Sequence, residues 1–220
     1  NMRKFIYYIF AANIGEVLSI FITIMIGLPA PITAVMILIV NTLTDVFPSL
    51  ALGVEPVEKN ILEKPPRKPT AKIMAAAFIR RYVVVGFLIG SVTAGTFIWN
   101  LTNYGWKFGD KVDLDSYAYL ESTTMAFIVL TLLQMVHAFI CRSETLSFFR
   151  MNHLKNLYLI AAVAFSTTMT VVIVQMPFFQ KYIKTTGMSG KQWGILIALS
   201  FTILGFEEIR KLFTRLSLKK

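Results

Sequence analysis

The sequence predicts an all-α, polytopic membrane protein: a bundle of six transmembrane helices with both termini cytoplasmic. Three observations carry this. Of the 220 residues, 55% are hydrophobic and only 15% are charged, against about 25% charged in an ordinary soluble domain. The apolar residues gather into six long runs, each able to cross some 30 Å of hydrocarbon as a helix, the last being the shortest. The basic residues sort to one side of those runs. Helices are required because lipid cannot satisfy backbone polar groups, and nothing alternates like a barrel strand.

The first run, Phe5–Leu28, is too long for the apolar core of a secretory signal and lacks a small-residue cleavage site. The second, Ile32–Leu52, follows across the uncharged turn LPAP (Leu28–Pro31), so the two are antiparallel neighbours. The third, Ile73–Trp99, holds Gly86 and Gly90, with Gly95 further on. Glycines four apart let two helix backbones approach closely. The fourth, Ser122–Cys141, carries Gln134 and His137 three apart. The fifth is Leu157–Gln175. The sixth, Gln192–Phe206, runs into Glu207 and Glu208, whose expected partners are Arg210 or Lys211. His137 reads as a packing histidine, His153 as solvated in a basic loop, and Cys141 as a small buried apolar residue that excludes an internal disulfide.

With the N-terminus inside, seventeen of the 22 Lys and Arg residues fall on the cytoplasmic side; only Lys107, Lys111, Lys181, Lys184 and Lys191 lie outside. The net charge of +10 is therefore a topology signal beside anionic lipid, and no nucleic-acid partner is implied.

A carboxylate within hydrocarbon is costly and marks function. Asn13 and Glu16 lie three apart on the first run; Asn41, Thr44 and Asp45 share a face of the second. Glu16 stands about 12 residues before the LPAP turn and Asp45 about 14 after it, which at 1.5 Å per residue gives similar depths. An all-oxygen set of two carboxylates, two carboxamides and a hydroxyl suits a hard cation exchanging with protons. Pro48 cannot donate to the preceding turn, so carbonyls around Asn41–Thr44 are expected to be freed. The plainer reading is two carboxylates sharing a proton for packing. Gln134 is either a neutral oxygen ligand or a helix–helix hydrogen bond. There is no phosphate-binding loop, since GMSGK (Gly187–Lys191) has the wrong spacing, and no Cys/His metal cluster.

At these residues the chain resembles a known family. NMRKFIYYIFAANIGEV (from Asn1), NTLTDVFPSLALGVEP (from Asn41), KPPRKP (from Lys64), TMAFIVLTLLQMVHAF, ETLSFFRMN and LGFEEIRKLF together are similar to the C-terminal membrane half of a P-type cation-transporting ATPase, from the fifth to the tenth family helix. The calcium pumps of the sarcoplasmic-reticulum type look closest, and the likeness covers essentially the whole chain. It implies cation transport coupled to ATP through an aspartyl-phosphate, with Asn13, Glu16, Asn41, Thr44 and Asp45 as cation ligands and calcium as the transported ion. Gln134 stands where that type has a glutamate ligand, which lowers the charge of any second calcium site. Asn41, in place of an aspartate, separates the chain from sodium/potassium pumps. The loop Val54–Lys72 resembles one that contacts the phosphorylation domain, or simply sets topology. The family's DKTGT segment, nucleotide and actuator domains and first four helices, one of which supplies another carboxylate, are not in this sequence. Residues 1–220 thus read as one transport domain, a piece of a larger protein with no ATPase activity of its own. ATP and magnesium would act only through those other domains, which with the cation and the lipid bilayer are its expected partners. The alternatives are a pump for sodium, manganese or magnesium, or a passive six-helix channel or carrier. Short loops and a compact tail lean toward a bacterial plasma membrane.

Overall fold

Proline, glycine and short polar side chains set where each helix starts and stops. The computed structural model describes residues 1–56 and 76–217. Helix α1 (Met2–Met25) ends at Gly27, whose φ of +81° only glycine adopts without strain, and the Leu28 N–H closes the turn on Thr23 O at 2.9 Å. The Tyr119 hydroxyl then donates to Ala30 O at 3.0 Å and pins the turn to a later helix. Thr33 caps α2 (Ala34–Ile39), accepting from Met36 N.

The second run is not one regular helix. A π-turn over Val40–Thr44 separates α2 from α3 (Val46–Gly53), with Asp45 N donating to Val40 O at 2.9 Å. The reason is local: Pro48 has no N–H for the Thr44 carbonyl, so the chain widens by one residue just before it. The expected loosening at Asn41–Thr44 is present.

Next come α4 (Ala76–Asn103) and α5 (Tyr117–Ile140), the latter capped by Ser116. Two 3₁₀ turns, Phe148–Arg150 and His153–Lys155, lead to α6 (Leu157–Gln175), capped by Asn156. A short α7 (Pro177–Ile183) follows. A capping box of Ser189 and Gln192 starts α8 (Gly190–Ser200), and α9 (Thr202–Ser217) ends the described chain. Among the described residues there is no strand.

Five of these segments are long and apolar enough to cross a membrane: Met2–Met25, Ala34–Gly53, Phe78–Asn103, Tyr117–Ile140 and Leu157–Gln175. The chain is thus an integral membrane helical bundle. The sixth run differs from expectation, because it bends at Phe201 into α8 and α9. The third extends past Trp99 to Asn103, and the fourth begins at Tyr117 rather than Ser122.

Helix α5 is the axis. Of its apolar window 89% is buried, against 33% for α6. It packs against α4, α8, α6 and α9. Lipid gives apolar surfaces little reason to leave it, so close packing and polar contacts hold such a bundle together. Both are visible. A Cβ on Gly90 would stand 2.8 Å from Gly15 O, and one on Gly86 would stand 3.0 Å from Ala11 O, so these glycines let α4 lie directly on α1. At the outer end buried Glu121 accepts from Asn100 (3.1 Å), Tyr104 (2.9 Å) and Gln192 (2.8 Å), joining α4, α5 and α8. At the cytoplasmic end buried Glu207 accepts from Tyr7 (3.0 Å) and pairs with Arg210 (2.9 Å) and Arg81 (3.5 Å).

Glu207 therefore takes its expected partner, whereas Glu208 instead accepts from Phe148 N at 2.7 Å. His137 is buried against the rings of Tyr7 and Tyr8, and Cys141 is buried beside it. His153 is not merely solvated: its Nε2 lies 2.8 Å from Phe148 O and its ring packs on Phe148. Of the loop Val54–Lys72, residues 57–72 lie outside the described residues.

Candidate cation site

Three elements meet around Glu16. The glycines that seat α1 on α4 fix the rotation of α1, and Gly15, next to Glu16, is itself at that contact. Glu16 is thereby turned inward and buried. Its Oε2 accepts from Asn41 Nδ2 at 2.8 Å, and its Oε1 accepts from Gln134 Nε2 at 3.1 Å. The π-turn supplies Asn41 and the central helix α5 supplies Gln134, so one carboxylate ties the first, second and fourth spans. Asn41 also donates to Ile37 O at 3.1 Å, which holds it to its own helix.

Asp45 and Thr44 are both buried at the end of the same π-turn. Asp45 Oδ1 accepts from the Tyr8 hydroxyl at 2.9 Å. The Thr44 hydroxyl donates to Val40 O at 2.8 Å, keeping its lone pairs for another partner. Asn13 is the exception. It lies on the exposed side of α1 while Glu16, three residues on, is buried, so the structure does not bring it to the cluster.

Two participants escaped the sequence reading. Tyr8 is two helical turns before Glu16 and looked like part of an apolar, aromatic helix start; only the fold aims its hydroxyl at Asp45. Ser166, buried on α6, donates to Thr44 O at 2.9 Å. That is the carbonyl Pro48 leaves without its helical donor, so the proline was the available signal and the serine its answer.

The chemistry follows from the donor set. Each carboxylate is compensated by N–H or O–H donors rather than by a cationic side chain. Among the described residues no group of three or more His, Cys, Asp or Glu side chains that could hold a metal ion is present. What the cluster offers is oxygen: two carboxylates, the Thr44 hydroxyl and carboxamide oxygens. Gln134 Oε1 is buried and has no hydrogen-bond partner among the described residues. An unpartnered buried acceptor is costly and is met by a donor or by a cation. The residues therefore fit a hard cation.

The chain is 36% identical over 200 residues to a calcium-transporting ATPase of Bacillus subtilis, covering 91% of this chain and 21% of that protein. It is 32% identical over 217 residues to calcium-transporting ATPase 1 of Bacillus cereus, covering 96% and 24%. The chain thus spans about a fifth to a quarter of the length of these relatives. Residues 29–213 match the family described as "Cation transporting ATPase, C-terminus". With its helical bundle and its buried carboxylates, the chain belongs to that family, the C-terminal membrane region of the P-type cation-transporting ATPases.

Proposed function

We propose that this chain is the cation-binding and translocating part of an ATP-driven pump that exports calcium in exchange for protons across a bacterial plasma membrane. The observation that carries the reading is the linkage of Glu16 to Asn41 and Gln134, with Asp45 buried just after the same π-turn. Glu16, Asn41, Thr44, Asp45 and Gln134 are the proposed ligands. Asn13 joins them from the exposed side of α1, where a helix from the rest of the protein would close the site.

Calcium is favoured because it takes six to eight oxygens and tolerates irregular geometry, as a mixed set of carboxylates, carbonyls and a hydroxyl would present. Proton exchange follows from charge: two neighbouring carboxylates without a cation repel unless one is protonated. Gln134 in place of a third carboxylate argues against two full calcium sites. ATP hydrolysis, with its magnesium, belongs to other domains of the longer protein, which are the partners of this one.

The test is phosphoenzyme formation by the full-length protein, titrated with calcium, manganese and magnesium. Calcium should support it at the lowest concentration. A requirement met equally well by magnesium alone, or cation dependence unaltered in Glu16→Gln and Asp45→Asn, would sink the assignment.

A further inference from the structure

A buried ion pair lies at the cytoplasmic end of α3, apart from the cation site. Glu55 Oε1 accepts from Arg142 Nε at 2.8 Å, and its Oε2 accepts from Asn156 Nδ2. All three side chains are buried. Arg142 stands just after α5 and also donates to the carbonyls of His153 (3.3 Å) and Asn152 (3.2 Å). Asn156 caps α6, its Oδ1 accepting from Leu159 N at 2.9 Å, and its amide donates to Ala51 O at 3.0 Å. From the start of α1, Asn1 donates to Gly53 O (3.1 Å) and Glu55 O (2.7 Å). The last turn of α3 is thereby tied to α1, α5 and α6.

The other end of α3 begins right after Asp45, and it too is held to α6. Ser166 donates to Thr44 O at 2.9 Å, and Phe47 meets Phe165 edge-on with ring centroids 4.8 Å apart. Between these ends lies a groove of about 510 Å³, lined by Leu50 and Val54 on α3 and by Tyr158 and Ala161 on α6. This flank of α3 is therefore held at its ends rather than along its length. Eight residues of helix, about 12 Å, separate the two ends. So short a helix is a stiff element that carries a displacement of one end to the other.

We propose that Glu55 is a positioning residue for the cation site. Gripped by Arg142 and Asn156, it sets where the end of α3 sits, and the helix carries that position to Asp45. This role rests on Glu16 and Asp45 being cation ligands. A buried ion pair suits the task, because withdrawing either partner leaves the other charge unmet in the interior. The pair therefore stays closed, and it keeps the ends of α3, α5 and α6 together.

The test is phosphoenzyme formation by the full-length protein across calcium concentrations, with the unfolding temperature measured alongside. Glu55→Gln keeps shape and removes charge. It should raise the calcium concentration for half-maximal phosphoenzyme about tenfold, the worth of one charge-assisted contact, and leave the maximal level near that of wild type. Asn156→Ser keeps a cap for α6 but is too short to hold Ala51 O and Glu55, and it should shift the midpoint the same way. If Glu55→Gln does not fold, Glu55→Gln with Arg142→Gln, which leaves no unpaired charge in that contact, carries the same expectation. Glu121→Gln, at an equally buried carboxylate on the outer end, is the comparison: it should lower the unfolding temperature and leave the midpoint in place. An unchanged midpoint in the Glu55 and Asn156 variants, or an equal shift in Glu121→Gln, would overturn the role of Glu55 while the calcium dependence of wild type stands. A wild type driven by manganese or magnesium instead would overturn the calcium reading alone, and the same shift is then expected in that cation's midpoint. Phosphorylation independent of any cation would overturn both.

Discussion

Gln134 donates its amide to Glu16 Oε1 at 3.1 Å, yet its own oxygen, buried in the middle of the bundle, accepts from nothing among the described residues. One side chain thus steadies a carboxylate and leaves a bare acceptor beside it. That asymmetry makes Gln134 the residue on which cation selectivity should turn. Gln134→Glu adds a third carboxylate, so calcium should bind more tightly and its binding should fall more steeply with acidification, as more protons compete. Gln134→Leu removes both functions and should weaken calcium by about tenfold, the worth of one charge-assisted hydrogen bond. Equilibrium calcium binding at two pH values checks both; identical curves for all three proteins would exclude Gln134 from the site.

Glu16→Gln and Asp45→Asn keep shape and remove charge. Each should raise the calcium concentration needed for phosphoenzyme formation by about a hundredfold or abolish the response, since a buried ligand charge contributes on the order of 3 kcal/mol. Asn13→Ala, on the exposed side of α1, reports whether that face joins the site in the whole protein. A change of tenfold or more is expected, and none would remove Asn13 from the ligand set.

The Thr44 carbonyl, Pro48 and Ser166 form a testable unit. Ser166→Ala strips the donor from a buried carbonyl and should cost about 1 kcal/mol in detergent stability. Pro48→Ala restores a backbone N–H that can serve Thr44 O instead. In that background Ser166→Ala should cost little. A double-mutant cycle measures the coupling, and strict additivity would show that the proline and the serine act separately.

Helix contact can be probed at the glycines. Gly90→Val places a methyl-bearing carbon against the Gly15 carbonyl, which cannot rotate away, and should cost roughly 1–3 kcal/mol. Gly95→Ala meets nothing within 4 Å and should be neutral. Because the first contact orients Glu16, Gly90→Val should also weaken calcium binding.

Lys211 gives a pH prediction. Burial lowers its ammonium from the usual 10.5 to about 8, although Glu207 and Glu208 oppose the change. The unfolded chain therefore holds this proton more tightly than the folded one. Stability is penalised below pH about 8, and the penalty is relieved as pH rises from there toward 10.5. Lys211→Met should raise the unfolding temperature more at pH 7 than at pH 9.5. An equal gain at both would place the effect in packing alone.

Much was legible in the sequence because lipid leaves few options. Length and apolarity gave five spanning segments. Pro48 announced an irregular second span, and Gly86 and Gly90 announced a close contact. Helical spacing put Asn41, Thr44 and Asp45 together. It did not reveal that Asn13, three residues from Glu16, stands exposed, because a wide inward stripe still has an edge. It also failed for His153, whose loop position hid a carbonyl and an aromatic partner.

By itself, then, the sequence determined that the chain lies in a membrane as helices and that acidic side chains stand within its apolar runs. Periodicity and charge are local properties, and the bilayer reads them directly. The tertiary structure alone decided the partners. That Gln134 reaches Glu16 across 118 positions, that the Tyr8 hydroxyl meets Asp45, and that Ser166 answers Pro48 all depend on which face of each helix packs inward. Rotations of that kind are set by small residues and by hydrogen bonds between distant segments, and no local pattern in one chain encodes them.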